Sequence, residues 1–385
     1  MQTTSSRNAR KDNPLVSIII NNYNYGMFLP AAIRSALVQT YPNVETIVVD
    51  DGSTDASSMV MASFGDKIKS VFKQNGGQGS AYNRGFEECA GDFILYLDAD
   101  DTLDPEAISE CLKAWEPGVA KVHFYLRMVE GLNATSTDVL LPRYALAEGN
   151  LVQQILETGF YHSPPASGNL YTREILAKIL PMPETEWRIG ADTYPIYLSP
   201  FLGEIRACNK PLGYYRVHSS NTVAHTKITG EILRRQMLHE IHTDDTLFGF
   251  CAHNNLKYDR GTGLRQTAYA KLRLASLVLE PEKHPITQDR MPDLLWTTIR
   301  QLLRCPSSTL KGRFLTVAWA LAVACSPVPL LERLMIIGFV PTKRPSFLRS
   351  ILVQASKGYE RSSRGPLLAR RPRQEALTHE PPASD

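Results

Sequence analysis

Cysteine is scarce in this 385-residue chain, and its spacing fits none of the common metal or redox motifs. The six cysteines stand at positions 89, 111, 208, 251, 305 and 325, and no two of them form a CxxC pair. This scarcity excludes a disulfide framework and a zinc ribbon as the basis of the fold. A reducing compartment, the cytoplasm, is the expected location.

The chain also lacks a strong charge bias and any long apolar segment. Its formal net charge is only +3, so the overall balance indicates no nucleic-acid partner. The first residues, MQTTSSRNARKDNP, contain no apolar core, so we expect no secretory signal there. Residues 1–13 are predicted to be a disordered tail.

Short apolar segments alternate with segments of helical periodicity from Pro14 onward. The strand-like segments are LVSIII (15–20), VETIVV (44–49), IKSVF (68–72) and FILYL (93–97). The helix-like segments are LPAAIRSALVQT (29–40), residues 56–64 and GSAYNRGFEECA (79–90). This alternation predicts an α/β fold with a mostly parallel sheet covered by helices on both faces.

Two of these strands run directly into acidic residues, in IVVDDGSTD (47–55) and LYLDADD (96–102). The carboxyl ends of parallel strands form the ligand crevice of such sheets. Asp98 and Asp100 point to the same face if the strand continues, and a divalent cation such as Mg²⁺ or Mn²⁺ would offset their repulsion. Asp104, just before Pro105, is predicted instead to cap the next helix.

Taken together, VSIIINNYNYGMFLPAAIRSALVQTYPNVETIVVDDGSTD, QNGGQGSAYNRG and LYLDADD resemble the family two glycosyltransferases of the GT-A fold. The resemblance is close over residues 14–105 and looser to about 225, so we expect the GT-A domain at 14–225. It implies a nucleotide-sugar donor, often UDP-linked, a divalent metal (Mn²⁺ or Mg²⁺), and inversion at the anomeric carbon.

The resemblance also implies roles for residues on the donor side. Asp51 corresponds to the acid that accepts a hydrogen bond from uracil, and Tyr23 to the ring that packs on the base. Asn21, where the family more often has Pro or Thr, is counted with the donor-binding residues. Asp98 and Asp100 correspond to the DxD motif, with Asp100 as the metal ligand and Asp98 near the ribose or metal.

Two glycines are further donor-side candidates. Gly77 lies in NGGQG (75–79), where glycine allows close backbone approach, although the third glycine of a dinucleotide fingerprint is missing. Gly168 lies in SPPASGNLYTREIL (163–176), which resembles the family's loop on the side of the donor sugar. An ordinary loop that closes on a helix is an equal alternative for Gly168.

The acceptor side is expected in RIGADTYPIYLSPFLG (188–203). The family usually has Glu-Asp here, whereas this chain has Ala191-Asp192, and Asp192 takes the position of the catalytic base. The alternative for Asp192 is a helix N-cap. His218, in GYYRVHSSNT (213–222), resembles an additional metal ligand.

The last third of the chain is predicted to be a helical region, 226–355, followed by a basic disordered tail, 356–385. Its most apolar segment, FLTVAWALAVAC (314–325), is shorter than the ~20 residues that a membrane-spanning helix needs. Residues 341–373 contain nine Lys or Arg and one acid. Peripheral contact with an anionic membrane and a packed helical subdomain with a solvated tail both remain open.

The leading functional hypothesis is a metal-assisted inverting glycosyltransferase that acts on a hydroxyl of a glycan or lipid-linked acceptor, for a bacterial surface polysaccharide. The main alternative is a nucleotide-sugar or glycan-binding protein of the same fold with impaired catalysis, which Ala191 favours. A nucleotidyltransferase is disfavoured, because NNYNYG (21–26) follows the first strand where that class carries a basic phosphate loop.

Overall fold

The computed structural model describes residues 13–218, 229–265, 267–304, 310–326 and 328–339. Within these residues, nine strands form one sheet. They are β1 (Val16–Asn22), β2 (Val44–Asp50), β3 (Lys69–Phe72), β4 (Phe93–Asp98), β5 (Thr102–Leu103), β6 (Val119–Glu130), β7 (Thr135–Leu141), β8 (Asn169–Thr172) and β9 (Glu204–Val217).

The strand order is β3-β2-β1-β4-β8-β6-β9-β5, and β7 pairs with β6. Strands β1 to β4, β6 and β9 run in one direction, whereas β5, β7 and β8 run in the other. The predicted mostly parallel α/β sheet is therefore confirmed, with the four N-terminal strands forming its fully parallel half.

Helices flank this sheet and continue into a C-terminal helical region. In chain order they are α1 (Leu29–Leu37), α2 (Ser57–Phe64), α3 (Gln78–Glu88), α4 (Ala107–Ala114), α5 (Val152–Thr158), α6 (Arg173–Ile179), α7 (Thr193–Leu198), α8 (Gly230–His253), α9 (Thr267–Leu279), α10 (Met291–Arg304), α11 (Leu310–Cys325) and α12 (Val328–Phe339).

The register of the central strands brings polar residues together at one edge of the sheet. Strand β1 lies between β2 and β4, and Asn22 stands opposite Asp50 while Asn21 stands opposite Asp98. Because these strands are parallel, their carboxyl ends meet at the same edge. The candidate site lies there.

The central strands are buried on both faces. Ile18 and Ile20 of β1 belong to the core under α1 and α4, whereas Ile19 belongs to the opposite core under α3 and α6. This alternation follows from the two-residue period of a strand. The apolar runs in the sequence are continuous because both faces are covered.

Helix α8 connects two apolar cores. Leu247 and Cys251 pack into the sheet core on the α3 side. Leu233 and Met237, nearer its start, pack with α9 to α12 in a third core. The helical region therefore packs directly on the α/β part of the molecule.

One local prediction was wrong. Asp104 was expected at the N-cap of α4, but α4 begins at Ala107 and Glu106 occupies the N-cap position. The Asp104 carboxylate accepts a hydrogen bond from the Glu106 backbone N–H at 3.0 Å instead. It therefore closes the turn before the helix, and Pro105 lies in that turn.

Several predictions concern parts of the chain outside the described residues. These are the tail before Asn13, the basic segment 341–373 and the final tail 356–385. Among the residues that the structure does describe, no helix combines the length and the apolar composition needed to cross a membrane. Peripheral membrane contact and the division at 225/226 stay predictions.

Candidate active site

Asp98 lies at the centre of the polar edge, where β4 ends. Its Oδ1 accepts hydrogen bonds from Asn21 Nδ2 at 3.0 Å and from Gln78 Nε2 at 3.4 Å. Its backbone N–H donates to Ser167 Oγ at 3.2 Å. These three contacts, from β1, α3 and the loop before β8, fix Asp98 at the floor of the crevice.

This crevice concentrates negative charge. Burial raises the pKa of Asp98 to about 7, and repulsion from Asp100 and then Asp192 adds to the shift. Burial, followed by the charges of Asp100, Asp98 and Asp101, also raises the pKa of Tyr25. A cation bound among these groups would relieve the repulsion, because an opposite charge favours the ionised carboxylate.

Asp100 pairs with the histidine that the sequence suggested. Asp100 Oδ2 lies 3.0 Å from His218 Nε2. The His218 ring stacks on Phe28 at a centroid distance of 4.4 Å and meets Tyr25 edge-on at 5.5 Å. The structure therefore brings together two residues that are far apart in the chain and orients the imidazole toward the carboxylate.

Asp101 is a structural carboxylate that sequence reasoning did not assign. Asp101 Oδ2 accepts a hydrogen bond from Ser167 Oγ at 2.7 Å, and its Oδ1 accepts one from the Arg216 backbone N–H at 2.9 Å. Burial, followed by Asp100 and Asp98, raises the pKa of Asp101 well above its usual value. It ties β4 to the Ser167 loop and to β9, and no motif signals this role.

The second acidic strand end holds the glycine-rich loop. Asp51 Oδ1 accepts hydrogen bonds from Lys73 Nζ at 2.6 Å and from the Gly76 N–H at 2.9 Å, and its Oδ2 accepts one from the Gly77 N–H at 2.7 Å. A carboxylate has about four acceptor positions. Asp51 therefore orders this loop and retains about one position for a ligand donor.

Asp50, predicted to be structural, closes the turn after β2. Its Oδ1 accepts hydrogen bonds from Asn22 Nδ2 at 2.7 Å and from Ser53 Oγ at 2.5 Å. Its Oδ2 accepts one from the Ser53 N–H at 3.1 Å. These contacts fix the path of the chain on which Asp51 stands.

Tyr23 and Asn21 flank this end of β1. The Tyr23 ring is 48% exposed, so one face is open to a ligand. Asn21 Oδ1 is buried and has no hydrogen-bond partner among the described residues. A buried acceptor without a partner is costly, so Asn21 Oδ1 is suited to a donor group on a bound molecule.

The two glycine candidates are enclosed by protein. Gly77 has a φ of +91°, and a Cβ there would lie 2.6 Å from the Arg188 backbone oxygen. At Gly168 a Cβ would lie 2.7 Å from Pro164 Cβ and 3.0 Å from the Phe124 oxygen. Packing alone therefore explains both glycines, and their donor-binding roles stay predictions.

Asp192 occupies the N-cap position of α7, but its side chain makes no capping hydrogen bond. Asp192 Oδ2 instead accepts a hydrogen bond from the Ala166 N–H at 3.2 Å. Burial raises the pKa of Asp192, and His239 opposes that shift. A carboxylate with a raised pKa that is not used for capping is a candidate general base.

Asp192 lines a cavity of about 890 Å³. One wall comes from the loops around Tyr144, Phe160 and Asp192, and the opposite wall from α8 and α9. Tyr144 is 44% exposed and stacks on His162 at a centroid distance of 4.4 Å. This volume and a partly aromatic lining are typical of a site for a small organic ligand.

The sequence comparisons agree with this geometry. Residues 17–179 match the profile described as Glycosyl transferase family 2. An uncharacterized glycosyltransferase of Nostoc sp. is 39% identical over 212 residues, which cover 54% of this chain and 66% of the relative. One from Rickettsia typhi is 48% identical over 96 residues, or 25% of this chain and 30% of the relative. The aligned parts thus span less than the whole of these relatives.

Two solved structures are similar to this chain at low sequence identity and with modest TM-scores. Staphylococcus aureus TarS 1–349 in complex with UDP is 15% identical, with a TM-score of 0.47 and coverage of 91% of each chain. The mannosyltransferase PcManGT from Pyrobaculum calidifontis, in complex with GDP-Man and Mn²⁺, is 13% identical, with a TM-score of 0.48 and coverage of 93% and 90%.

The mostly parallel α/β sheet thus carries acids at the carboxyl ends of β2 and β4, within the segment that matches the family profile. Residues 17–179 form a domain of glycosyl transferase family 2. The resemblance seen in the sequence is thereby confirmed.

Proposed function

We propose that this protein is an inverting glycosyltransferase that moves a sugar from a nucleotide-diphosphate donor to a hydroxyl of a glycan or lipid-linked acceptor. The observation that carries the proposal is that Asp51 and the Asp100–His218 pair lie just beyond the carboxyl ends of β2 and β4, on either side of β1, and that Asp192 is close enough to Asp98 to raise its pKa. In the proposed complex, Asp51 marks the site of the nucleobase, the Asp100–His218 pair marks the site of the diphosphate, and Asp192 marks the site of the acceptor hydroxyl.

The donor nucleotide is proposed to bind beside β1 and β2. The open face of Tyr23 would pack on the base, and the remaining acceptor position of Asp51 would receive the imino N–H of uracil. Asn21 Oδ1, which has no partner among the described residues, would accept a donor hydroxyl or amide. A UDP-sugar suits this set of acceptors, because uracil presents an N–H donor.

The residues at the end of β4 fit a divalent metal. Asp100 and His218 supply a carboxylate and an imidazole 3.0 Å apart, and Asp98 lies nearby with a raised pKa. The described residues contain no group of three or more metal-ligating side chains. Such a site suits Mn²⁺ or Mg²⁺ that completes its coordination with phosphate oxygens and water. A bound ion would stabilise the charge of the leaving diphosphate.

Asp192 acts as the general base of the proposed reaction. The acceptor oxygen attacks the anomeric carbon from the face opposite the diphosphate, and Asp192 takes the hydroxyl proton. The bond between the anomeric carbon and the diphosphate oxygen breaks, and its electron pair leaves with the nucleoside diphosphate. Single displacement inverts the anomeric centre, and the base remains protonated until it exchanges with water.

The acceptor is proposed to enter the cavity that Asp192 lines. The exposed face of Tyr144 offers a surface for a sugar ring, and its stacking on His162 holds that ring in place. The apolar walls from Ile189, Ile196 and Leu238 suit the hydrophobic faces of a glycan or the start of a lipid chain.

The binding-protein alternative loses its main support. It rested on Ala191, which stands where the family usually has an acid. The Ala191 side chain is fully buried in the sheet core, so a carboxylate at this position in the same conformation would point away from the crevice. The absence of an acid at position 191 is therefore weak evidence against catalytic activity.

A panel of nucleotide sugars with Mn²⁺ tests the proposal. The correct donor should raise the melting temperature, because a ligand at a hundredfold excess over Kd stabilises by about 2.7 kcal/mol. The stabilising donor is then incubated with the enzyme, and the release of nucleoside diphosphate is followed. Donor binding without sugar transfer or hydrolysis would support the binding-protein alternative, and no binding of any nucleotide sugar would overturn both.

A further inference from the structure

The turn that carries Asp192 is built around a glycine and a histidine. The Thr193 N–H donates to the Gly190 oxygen at 3.1 Å, which closes the turn. Gly190 has a φ of +71°, and a Cβ there would lie 2.6 Å from His239 Cε1. Glycine is therefore required both by the backbone conformation and by the close approach of the His239 ring.

His239 comes from α8, in the helical region, and contacts this turn from the side. Its Nε2 lies 3.0 Å from Thr193 Oγ1, and either atom can donate. The ring also meets the fully buried Trp187 edge-on, at a centroid distance of 5.6 Å. Contacts with Gly190, Thr193 and Trp187 hold the imidazole in a single place next to Asp192.

The charges of His239 and Asp192 are coupled. Burial lowers the pKa of His239 below its usual value, and the Asp192 carboxylate offsets only part of this shift. In the same way burial raises the pKa of Asp192, and His239 lowers it. Each group therefore favours the ionised form of the other, as expected for opposite charges at short range.

Other titratable groups face this pair from the surrounding elements. His242, on the same helix, lowers the pKa of His239. Asp192 in turn acts on Asp98 from β4, Tyr82 from α3 and Lys121 from β6. The charged residues that line the same cavity are Arg143, Glu186, Arg188, Arg235 and Glu240.

We propose that His239 is a positioning residue for the general base: it fixes the Gly190–Thr193 turn, which carries Asp192, against α8, and its protonated form favours the ionised form of Asp192. This inference rests on the proposed role of Asp192. It gives the helical region a supporting part in catalysis, whereas all the candidate site residues found in the sequence lie before position 220. His239 does not need to touch the acceptor for this role.

The first test uses the protein without substrate. The imidazole carbons of the nine histidines are labelled with ¹³C and titrated by NMR, and the signal missing from His239→Gln identifies His239. In Asp192→Asn the pKa of His239 should fall by at least about half a unit, because an opposite charge nearby has been removed. Asp245→Asn is the control, since Asp245 lies further along α8 and pairs with Arg260.

A His239 pKa that is the same in wild type and Asp192→Asn would overturn the inference. Thr193→Val separates the hydrogen bond from the charge. It should alter the His239 signal and leave most of the dependence on Asp192. If Thr193→Val removes the whole dependence, His239 acts through the hydrogen bond and the charge role is wrong.

The second test is the pH profile of transfer or donor hydrolysis. His239→Gln should move the acid limb to higher pH, because Asp192 is then protonated more easily, whereas a merely structural role would lower the rate without moving the limb. If NMR shows that the His239 pKa depends on Asp192 but no donor is turned over, the proposed function fails and the interaction between His239 and Asp192 stands. If turnover occurs and the acid limb does not move in His239→Gln, the inference fails alone.

Discussion

At the scale of single residues, acids close together in the sequence have different tasks because their partners differ. Asp98 accepts from Asn21 and Gln78, and Asp101 is held by Ser167 and the Arg216 backbone. Asp100 faces His218. The three side chains point to different neighbours although they belong to one motif, and only Asp100 pairs with a second candidate metal ligand.

Asp100→Asn should remove metal-dependent donor binding, because it deletes a charged ligand and keeps the shape. Loss of an outer-shell partner typically costs 10–100-fold in metal affinity, so loss of a ligand should cost at least about 100-fold. Calorimetry with UDP and Mn²⁺ measures this. Asp104→Asn is the control, since Asp104 closes the turn before α4. Equal affinity in Asp100→Asn and wild type would remove Asp100 from the metal site.

Asp192→Asn distinguishes a base from a cap. Donor and metal binding should stay near wild type, whereas transfer should fall by about 10²–10⁴-fold, the usual contribution of general base catalysis. Stability should change little, because the side chain makes no capping hydrogen bond. Single-turnover measurements at saturating donor give the rate, and wild-type turnover would require another base.

The rate of sugar transfer should decrease as the pH is lowered. Asp192 must be ionised to accept a proton, and burial raises its pKa. Transfer should therefore fall as the pH drops through that raised value, at a higher pH than an exposed aspartate, near about 3.9, would give. The profile of kcat/KM measures the acid limb. An acid limb at the ordinary aspartate value would contradict the burial of the base.

At the scale of elements, the strand ends were predictable and the contacts across the crevice were not. Alternating apolar runs located β1, β2 and β4, and parallel pairing then placed Asp51 and Asp98 at one edge. His239 and Ser167 carry no local pattern. His239 reaches the site only because α8 folds back on the sheet, and Ser167 only because β8 pairs antiparallel to β4. Such contacts depend on tertiary packing, which periodicity does not encode.

Gly190→Ala tests the turn between α6 and α7 as a unit. The positive φ alone should cost about 1–2 kcal/mol in the free energy of unfolding. The approach of His239 to the new Cβ should add to this cost. Gly249→Ala is the matched control, because Gly249 lies within α8 with open space at its Cβ and should gain about 0.5–1 kcal/mol. Chemical denaturation compares the two, and equal effects would mean that the turn adapts freely.

At the scale of the whole molecule, the helical region divides into a part that lines the cavity and a part whose described side chains do not. Helices α8 and α9 line the cavity, whereas the described core side chains of α11 and α12 belong to the third core. A chain ending before α11, at about residue 309, should still bind donor, although it exposes apolar side chains of α9. A chain ending at 225 should fail to fold, because the sheet core loses Leu247 and Cys251.

Thermal melting and donor titration of the two truncated chains measure this difference. Donor binding by the shorter chain would show that α8 is dispensable for the sheet core. Loss of donor binding in the longer chain would show that α11 and α12 act on the crevice through α9.

The path of α8 also limits where this chain can be joined to a relative to make a chimera. A chimera that joins the sheet of one enzyme to the helices of another at residue 225 would separate Gly190 and Thr193 from the histidine that contacts them. It would also replace Leu247 and Cys251 by residues of the other protein, which are not shaped to pack against this sheet core. A junction after α9, which ends at Leu279, keeps both cavity-lining helices with the sheet, so segments that can be exchanged between relatives begin after α9.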